Sequence, residues 1–158
     1  MLRPMLPLCA ASEKKMKTVV LDTNVFVAAG FNRYSNSARI LRALRAREIT
    51  LVWNQAVLRE TRKILQQIPP ISWEHYEDLF TSETEFRGEM NAGNGSGQAE
   101  RGDYEQIVDP DDRKFAALAE ASGAILVSND EHLLSVRDQL QIDIRTPGDL
   151  VKEIKQAH

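Results

Sequence analysis

Asp22, Glu60, Asp112 and Asp130 are carboxylates that lie far apart along the chain, yet each sits beside an apolar segment. Asp22 directly follows Val19-Val20-Leu21, and Asp130 follows Ile125-Leu126-Val127 after Ser128 and Asn129. Glu60 lies in an amphipathic stretch, and Asp112 in the run Asp109-Pro110-Asp111-Asp112. Carboxylates brought within several Å repel one another and raise each other's pKa unless positive charge lies between them. Hard divalent cations meet that need, and Mg²⁺ takes a few carboxylates together with water and phosphate oxygens. Two such ions about 3.5–4 Å apart activate water and stabilise both the attacking and the leaving oxygen of a displacement at phosphorus. Such a site requires no protein nucleophile and no histidine base, which suits a chain whose histidines are His75, His132 and the terminal His158. Taken singly, each acid has a structural explanation. Asp22 and Asp130 suit helix N-caps, Asp112 is favoured by a helix N-terminus as are Asp109 and Asp111, and Glu60 can pair with Lys63. Their combination is what points to metal.

The elements that must bring them together can be read from the apolar pattern. Lys17–Leu21, Ile49–Trp53, Ala124–Val127 and Ile142–Ile144 are short apolar, β-branched runs that predict strands. Between them, Ser37 to Arg47 has helical spacing. Asn54 caps a helix whose apolar face is Val57, Leu58, Thr61, Ile64, Leu65 and Ile68, stopped by Pro69-Pro70. Ile71 to Phe86 predicts a helix burying Trp73, Tyr76, Leu79 and Phe80. Pro110 opens a helix that Gly123 ends, another spans Glu131 to Gln139, and Thr146 caps the last with Asp149 three residues on. Strands that are continuously apolar and alternate with helices belong to a parallel sheet covered on both faces. The expectation is one three-layer α/β/α domain, residues 17–158, with a central mostly parallel sheet. Ligands of such sheets bind beyond the carboxyl ends of the strands, where Asp22 and Asp130 stand.

At 158 residues the chain suits one domain. No apolar run is long enough to span a bilayer, so no membrane association is expected. Cys9 is the only cysteine, which leaves no internal disulfide and fits a reducing, cytoplasmic setting. Leu6-Pro7-Leu8-Cys9 matches a lipid-attachment box only loosely, and residues 1–16 read as a disordered N-terminal extension. The glycine-rich stretch around 88–106 lacks the spacing of a nucleotide-binding fingerprint and reads as a flexible insertion. The net charge of −3 conceals a strong asymmetry. From Arg33 to Lys63 eight Lys or Arg face two Glu, whereas from Trp73 to Asp112 twelve acids face two Arg. A local basic surface is what binding to a nucleic acid needs, although arginines on the wet faces of helices have the same composition.

Asp22-Thr23-Asn24-Val25 after a strand resembles the opening of a PIN domain, the nuclease fold of many bacterial toxin–antitoxin ribonucleases. Val57-Leu58-Arg59-Glu60, Asp109-Pro110-Asp111-Asp112-Arg113-Lys114 and Val127-Ser128-Asn129-Asp130 follow in the order of that family. The resemblance extends over most of the chain, and the Asp-Pro-Asp-Asp and Ser-Asn-Asp runs are closest to the toxin branch. It implies an Mg²⁺- or Mn²⁺-dependent endonuclease acting usually on RNA, with single-stranded DNA as a further possible substrate. Asp22, Glu60, Asp112 and Asp130 would be its catalytic and metal-holding quartet. Thr23, Asn24 and Ser128 match its supporting polar residues, and Arg113 and Lys114 would add to the basic stretch that holds the substrate backbone. It also implies a homodimer and an antitoxin partner. His132 stands near a position where relatives carry another acid or histidine, and the segment between Trp73 and Gly102 is not part of the common pattern. Two other readings compete: a phosphohydrolase using Asp22 as nucleophile, disfavoured because Asn24 stands where a second acid is wanted, and a catalytically silent PIN-like binding module.

Overall fold

The structure is a computed structural model and describes residues 16–88, 107 and 109–157. The expected N-terminal extension, apart from Met16, and the expected flexible insertion, apart from Gly88, lie outside the described residues. Four strands form a fully parallel sheet in the order β2-β1-β3-β4: β1 (Lys17–Leu21), β2 (Ile49–Leu51), β3 (Ile125–Val127) and β4 (Ile144–Arg145). Val19, Val20, Leu126 and Val127 are completely buried, which is why β1 and β3 are apolar on both faces.

Chain direction reverses across this sheet. The path from β1 to β2, through α1 (Thr23–Phe31) and α2 (Asn36–Arg45), steps toward one edge. The return from β2 to β3, through α3 (Gln55–Gln66) and α4 (Pro110–Ser122), passes over β1 to its other side. Right-handed crossovers in opposite directions put the two helix pairs on opposite faces. The gap beyond the carboxyl ends of β1 and β3 is therefore the topological switch point of the sheet. Two further helices complete the layers: α5 (Glu131–Ser135), and α6 (Pro147–Ala157), which packs on α2.

Local chemistry sets the helix ends as expected. Asn54 Oδ1 accepts from the Val57 amide at 3.0 Å, and Asp109 Oδ1 from the Asp111 amide at 3.0 Å. Thr146 Oγ1 accepts from the Asp149 amide at 3.0 Å. Gly123 ends α4 in the left-handed region at φ 77°, a conformation that a side chain would strain.

Three expectations are corrected. Residues 71–86 are not one helix but three single 3₁₀ turns, Trp73–His75, Glu77–Leu79 and Ser82–Thr84, and within them only Trp73 is fully buried. A continuous helix of that length would run ~24 Å in one direction. The chain instead has to stay beside Trp53. Phe80 lies with its ring centroid 5.7 Å from that of Trp53, and 5.9 and 5.3 Å from those of Phe26 and Trp73. Trp53 Nε1 donates to the Thr81 carbonyl, and the Phe86 amide donates to the carbonyl of Trp53. The Glu131–Gln139 helix stops at Ser135 and resumes as a 3₁₀ turn over Arg137–Gln139. The last strand lies later than Ile142–Ile144, because pairing aligns Leu126 with Ile144 and Val127 with Arg145. Arg145 is clamped there by Asp143 and Glu153.

Candidate metal centre

Asp22 leaves β1 at the switch point, and its amide donates to the Val127 carbonyl of β3 at 3.0 Å. It occupies the position before α1, yet its side chain makes no capping hydrogen bond. The residue is only 3% exposed, and its carboxylate instead accepts from the Ser128 hydroxyl at 2.7 Å. The same Ser128 oxygen accepts from the Asp130 amide at 2.9 Å, so one buried serine sets both acids. Asp130 also accepts from the His132 amide at 2.9 Å, which makes it the cap of α5 as well as a member of the site. His132 itself is exposed.

Asp112 enters from the first turn of α4. One carboxylate oxygen each from Asp22, Asp112 and Asp130 lies within 4.8 Å of the others. The electrostatics follow from that crowding. Burial raises the pKa of Asp22, the Ser128 hydroxyl and the nearby backbone amides of Asn24 and Thr23 lower it, and the charge of Asp130 raises it. Asp112 is pushed up to about 7, first by burial and then by the charges of Asp22, Asp109 and Asp130. Three acids held together at this cost form a donor set that suits a hard divalent cation.

Glu60 is outside this trio. Its side chain is 13% exposed, with the carboxylate 3.4 Å from Lys114 Nζ of α4, and Lys114 is also 3.8 Å from Asp111. Arg113 Nε donates to the Ile107 carbonyl at 2.9 Å, holding the approach to α4. Asn24 is exposed at the start of α1. Thr23 is buried, with its hydroxyl 3.2 Å from that of Thr61 on α3.

Two polar residues that the sequence reading did not single out belong to this framework. Thr61, 1% exposed, appeared there as part of an apolar helix face, but its hydroxyl joins α3 to the start of α1 beside Asp22. A hydroxyl at a core position next to Glu60 was the available signal. Ser37, 3% exposed, accepts from Asn129 Nδ2 at 3.1 Å and ties the loop between Ser128 and Asp130 to α2. Nothing in the sequence marked it, because that contact joins residues remote along the chain.

Ser128→Ala is expected to destabilise the protein by about 1–2 kcal/mol, read as a lower denaturation midpoint. It removes the hydrogen bond to Asp22 and leaves the Asp130 amide without its acceptor. A midpoint equal to that of the parent would show that neither bond holds the loop.

A family model described as "PIN domain" matches residues 18–132. The chain belongs to the PIN domain family. That match spans β1 to the start of α5 and so takes in all three clustered acids, as well as Glu60. The fold is shared with solved structures of low sequence identity. One is VapBC2 from Rickettsia felis, bound to a DNA fragment from their promoter. It is 21% identical, covering 82% of this chain and 98% of that one, with a TM-score of 0.57. Another is PAE2754 from Pyrobaculum aerophilum, 17% identical, covering 89% of this chain and 90% of that one, with a TM-score of 0.58. A search of curated proteins finds no match. PIN domains are generally nucleases that use a divalent metal, and the acidic cluster of this PIN domain is present at the switch point.

Proposed function

We propose that this PIN domain is a metal-dependent endoribonuclease, the toxin of a toxin–antitoxin pair, which hydrolyses RNA phosphodiesters with Mg²⁺ or Mn²⁺. The observation that carries the reading is the trio of aspartates whose oxygens lie within 4.8 Å of one another. Asp22, Asp112 and Asp130 would hold the cation, with Glu60 completing the acidic quartet from α3. When bound, a divalent cation supplies Lewis acidity to the phosphate and lowers the pKa of water.

The protein's own groups do the positioning. Ser128 orients Asp22 and, through its contact with the Asp130 amide, the start of α5. Thr23 and Thr61 set α3 against α1, and Lys114 restrains Glu60. Asn24, exposed at the rim, can reach a substrate oxygen, and Arg113 and Lys114 add positive charge from α4. The outcome is a close cluster of acids on a domain whose α2 and α3 carry exposed arginines, suited to a polyanion bridged by cations. The antitoxin reading rests on likeness to VapBC2, and the homodimer on family resemblance. Among the described residues no helix is long and apolar enough to cross a membrane.

The test is cleavage of mixed RNA and single-stranded DNA with Mg²⁺, with Mn²⁺ or with chelator. RNA cut only with metal, leaving 5′-phosphate and 3′-hydroxyl ends, is the expected result. Cleavage that persists in chelator, or 2′,3′-cyclic phosphate products, would refute it. Trapping phosphate on Asp22 would support a phosphohydrolase instead.

A further inference from the structure

Phe31 and Tyr34 are 62% and 74% exposed, and they flank Asn32 and Arg33 in the turn between α1 and α2. A single exposed ring is ordinary, but this turn is built to hold one in place. The Tyr34 amide donates to Asn32 Oδ1 at 2.9 Å, and the Ser35 amide to the Asn32 carbonyl at 3.1 Å. The Arg33 guanidinium lies 5.1 Å from the centre of the Tyr34 ring and donates to its hydroxyl at 2.9 Å. Arg42 of α2 donates to the Arg33 carbonyl at 3.0 Å. The backbone of the turn is braced, and the Tyr34 ring stands exposed beside the Arg33 guanidinium.

Charge continues from the turn along α2. Arg39, Arg42 and Arg45 recur at three-residue spacing on its exposed side, opposite the buried Ala38, Ile40, Leu41 and Leu44. Arg45 is held by Asp78 and the His75 carbonyl. Among the described residues no carboxylate pairs with Arg33, Arg39 or Arg42. The first turn of this helix touches the metal centre, because Asn129, between Ser128 and Asp130, donates to Ser37.

We infer that Phe31 and Tyr34 are a stacking platform for unpaired bases of an RNA strand whose phosphates follow Arg33, Arg39 and Arg42. The inference rests on the nuclease reading above. A base offers a π-face to a ring whatever its sequence, and arginine adds cation–π attraction. Bases inside a duplex are already stacked and leave the rings nothing to hold. A single strand supplies base faces for the two rings and negative charges for the arginines.

Binding is measured with chelator present, so that the strand stays intact, by anisotropy of a short labelled RNA and of its duplex. The parent is expected to bind the single strand more tightly than the duplex. Tyr34→Ala and Phe31→Ala should each weaken single-strand binding by about tenfold, with Tyr34→Trp retaining it. Arg39→Gln and Arg42→Gln should each lower the slope of log affinity against log salt by about one. Both ring positions are exposed, so melting temperatures should not change. Parent-like affinity in both alanine variants, or equal affinity for duplex, overturns the platform. Unchanged RNA binding with a smaller sedimenting species overturns it too, and gives the face to a second copy of the chain. Cleavage is scored separately with metal. Single-strand binding that depends on both rings, without cleavage, sinks only the nuclease reading. Metal-dependent cleavage together with parent-like binding by both alanine variants sinks only the platform.

Discussion

Asp22→Asn is expected to lower RNA cleavage by about a thousandfold or more, equivalent to roughly 4 kcal/mol in the barrier, while leaving the fold intact. Asparagine preserves the volume of the side chain and can still accept from Ser128, so the packing at the end of β1 is kept. What it loses is the negative charge at the best-buried member of the trio. Because burial disfavours the ionised form of Asp22, the neutral variant should melt no lower than the parent in chelator. A structural cap would behave in the opposite way, costing ~1 kcal/mol on removal. The decisive comparison is single-turnover cleavage with Mn²⁺ beside a melting curve in chelator. Parent-like cleavage removes Asp22 from the reaction, and a clear fall in melting temperature returns it to a purely structural role.

The second large effect is on stability. Asp112 has its pKa raised from 3.8 to about 7, so the folded state favours its protonated form. Its favourable contribution is complete below about pH 4 and is lost as pH rises through 7. At pH 8 without metal the ionised Asp112 therefore opposes folding, and a divalent cation should relieve it. Mn²⁺ at about a hundred times its dissociation constant adds ~2.7 kcal/mol, a rise of roughly 5–10 °C in melting temperature for a chain of this size. Asp112→Asn should gain about 1–2 kcal/mol at pH 8 in chelator, a figure already reduced for screening because the group is not fully buried. It should gain nothing at pH 4 and should respond only weakly to Mn²⁺. Scanning calorimetry across pH 4–8, with and without Mn²⁺, measures all of this. A parent melting temperature indifferent to Mn²⁺ at pH 8 would remove the cation from the site.

Residues 71–86 show where local reading stops. Trp73, Tyr76 and Phe80 recur at a spacing that serves a helix or successive 3₁₀ turns equally well. The choice between them was made by Phe26 and Trp53, whose rings pull this segment back on itself. The last strand is a similar case. Ile142 and Ile144 are equally apolar, and only pairing with β3 settles that Ile144 and Arg145 carry the ladder.

The sequence by itself determined the caps, the breaks, the apolar strands and hence the parallel three-layer sheet, because each depends on neighbours a few residues away. It also marked Asp22 and Asp130, whose places at strand ends follow from the runs before them. Tertiary structure decided the rest. It joined Asp112 to those two within 4.8 Å, directed Glu60 to Lys114, and recruited Thr61 and Ser37 to hold α3 and the β3–α5 loop. Helix rotation and inter-element hydrogen bonds control those outcomes, and both arise only when residues remote in the chain pack against each other.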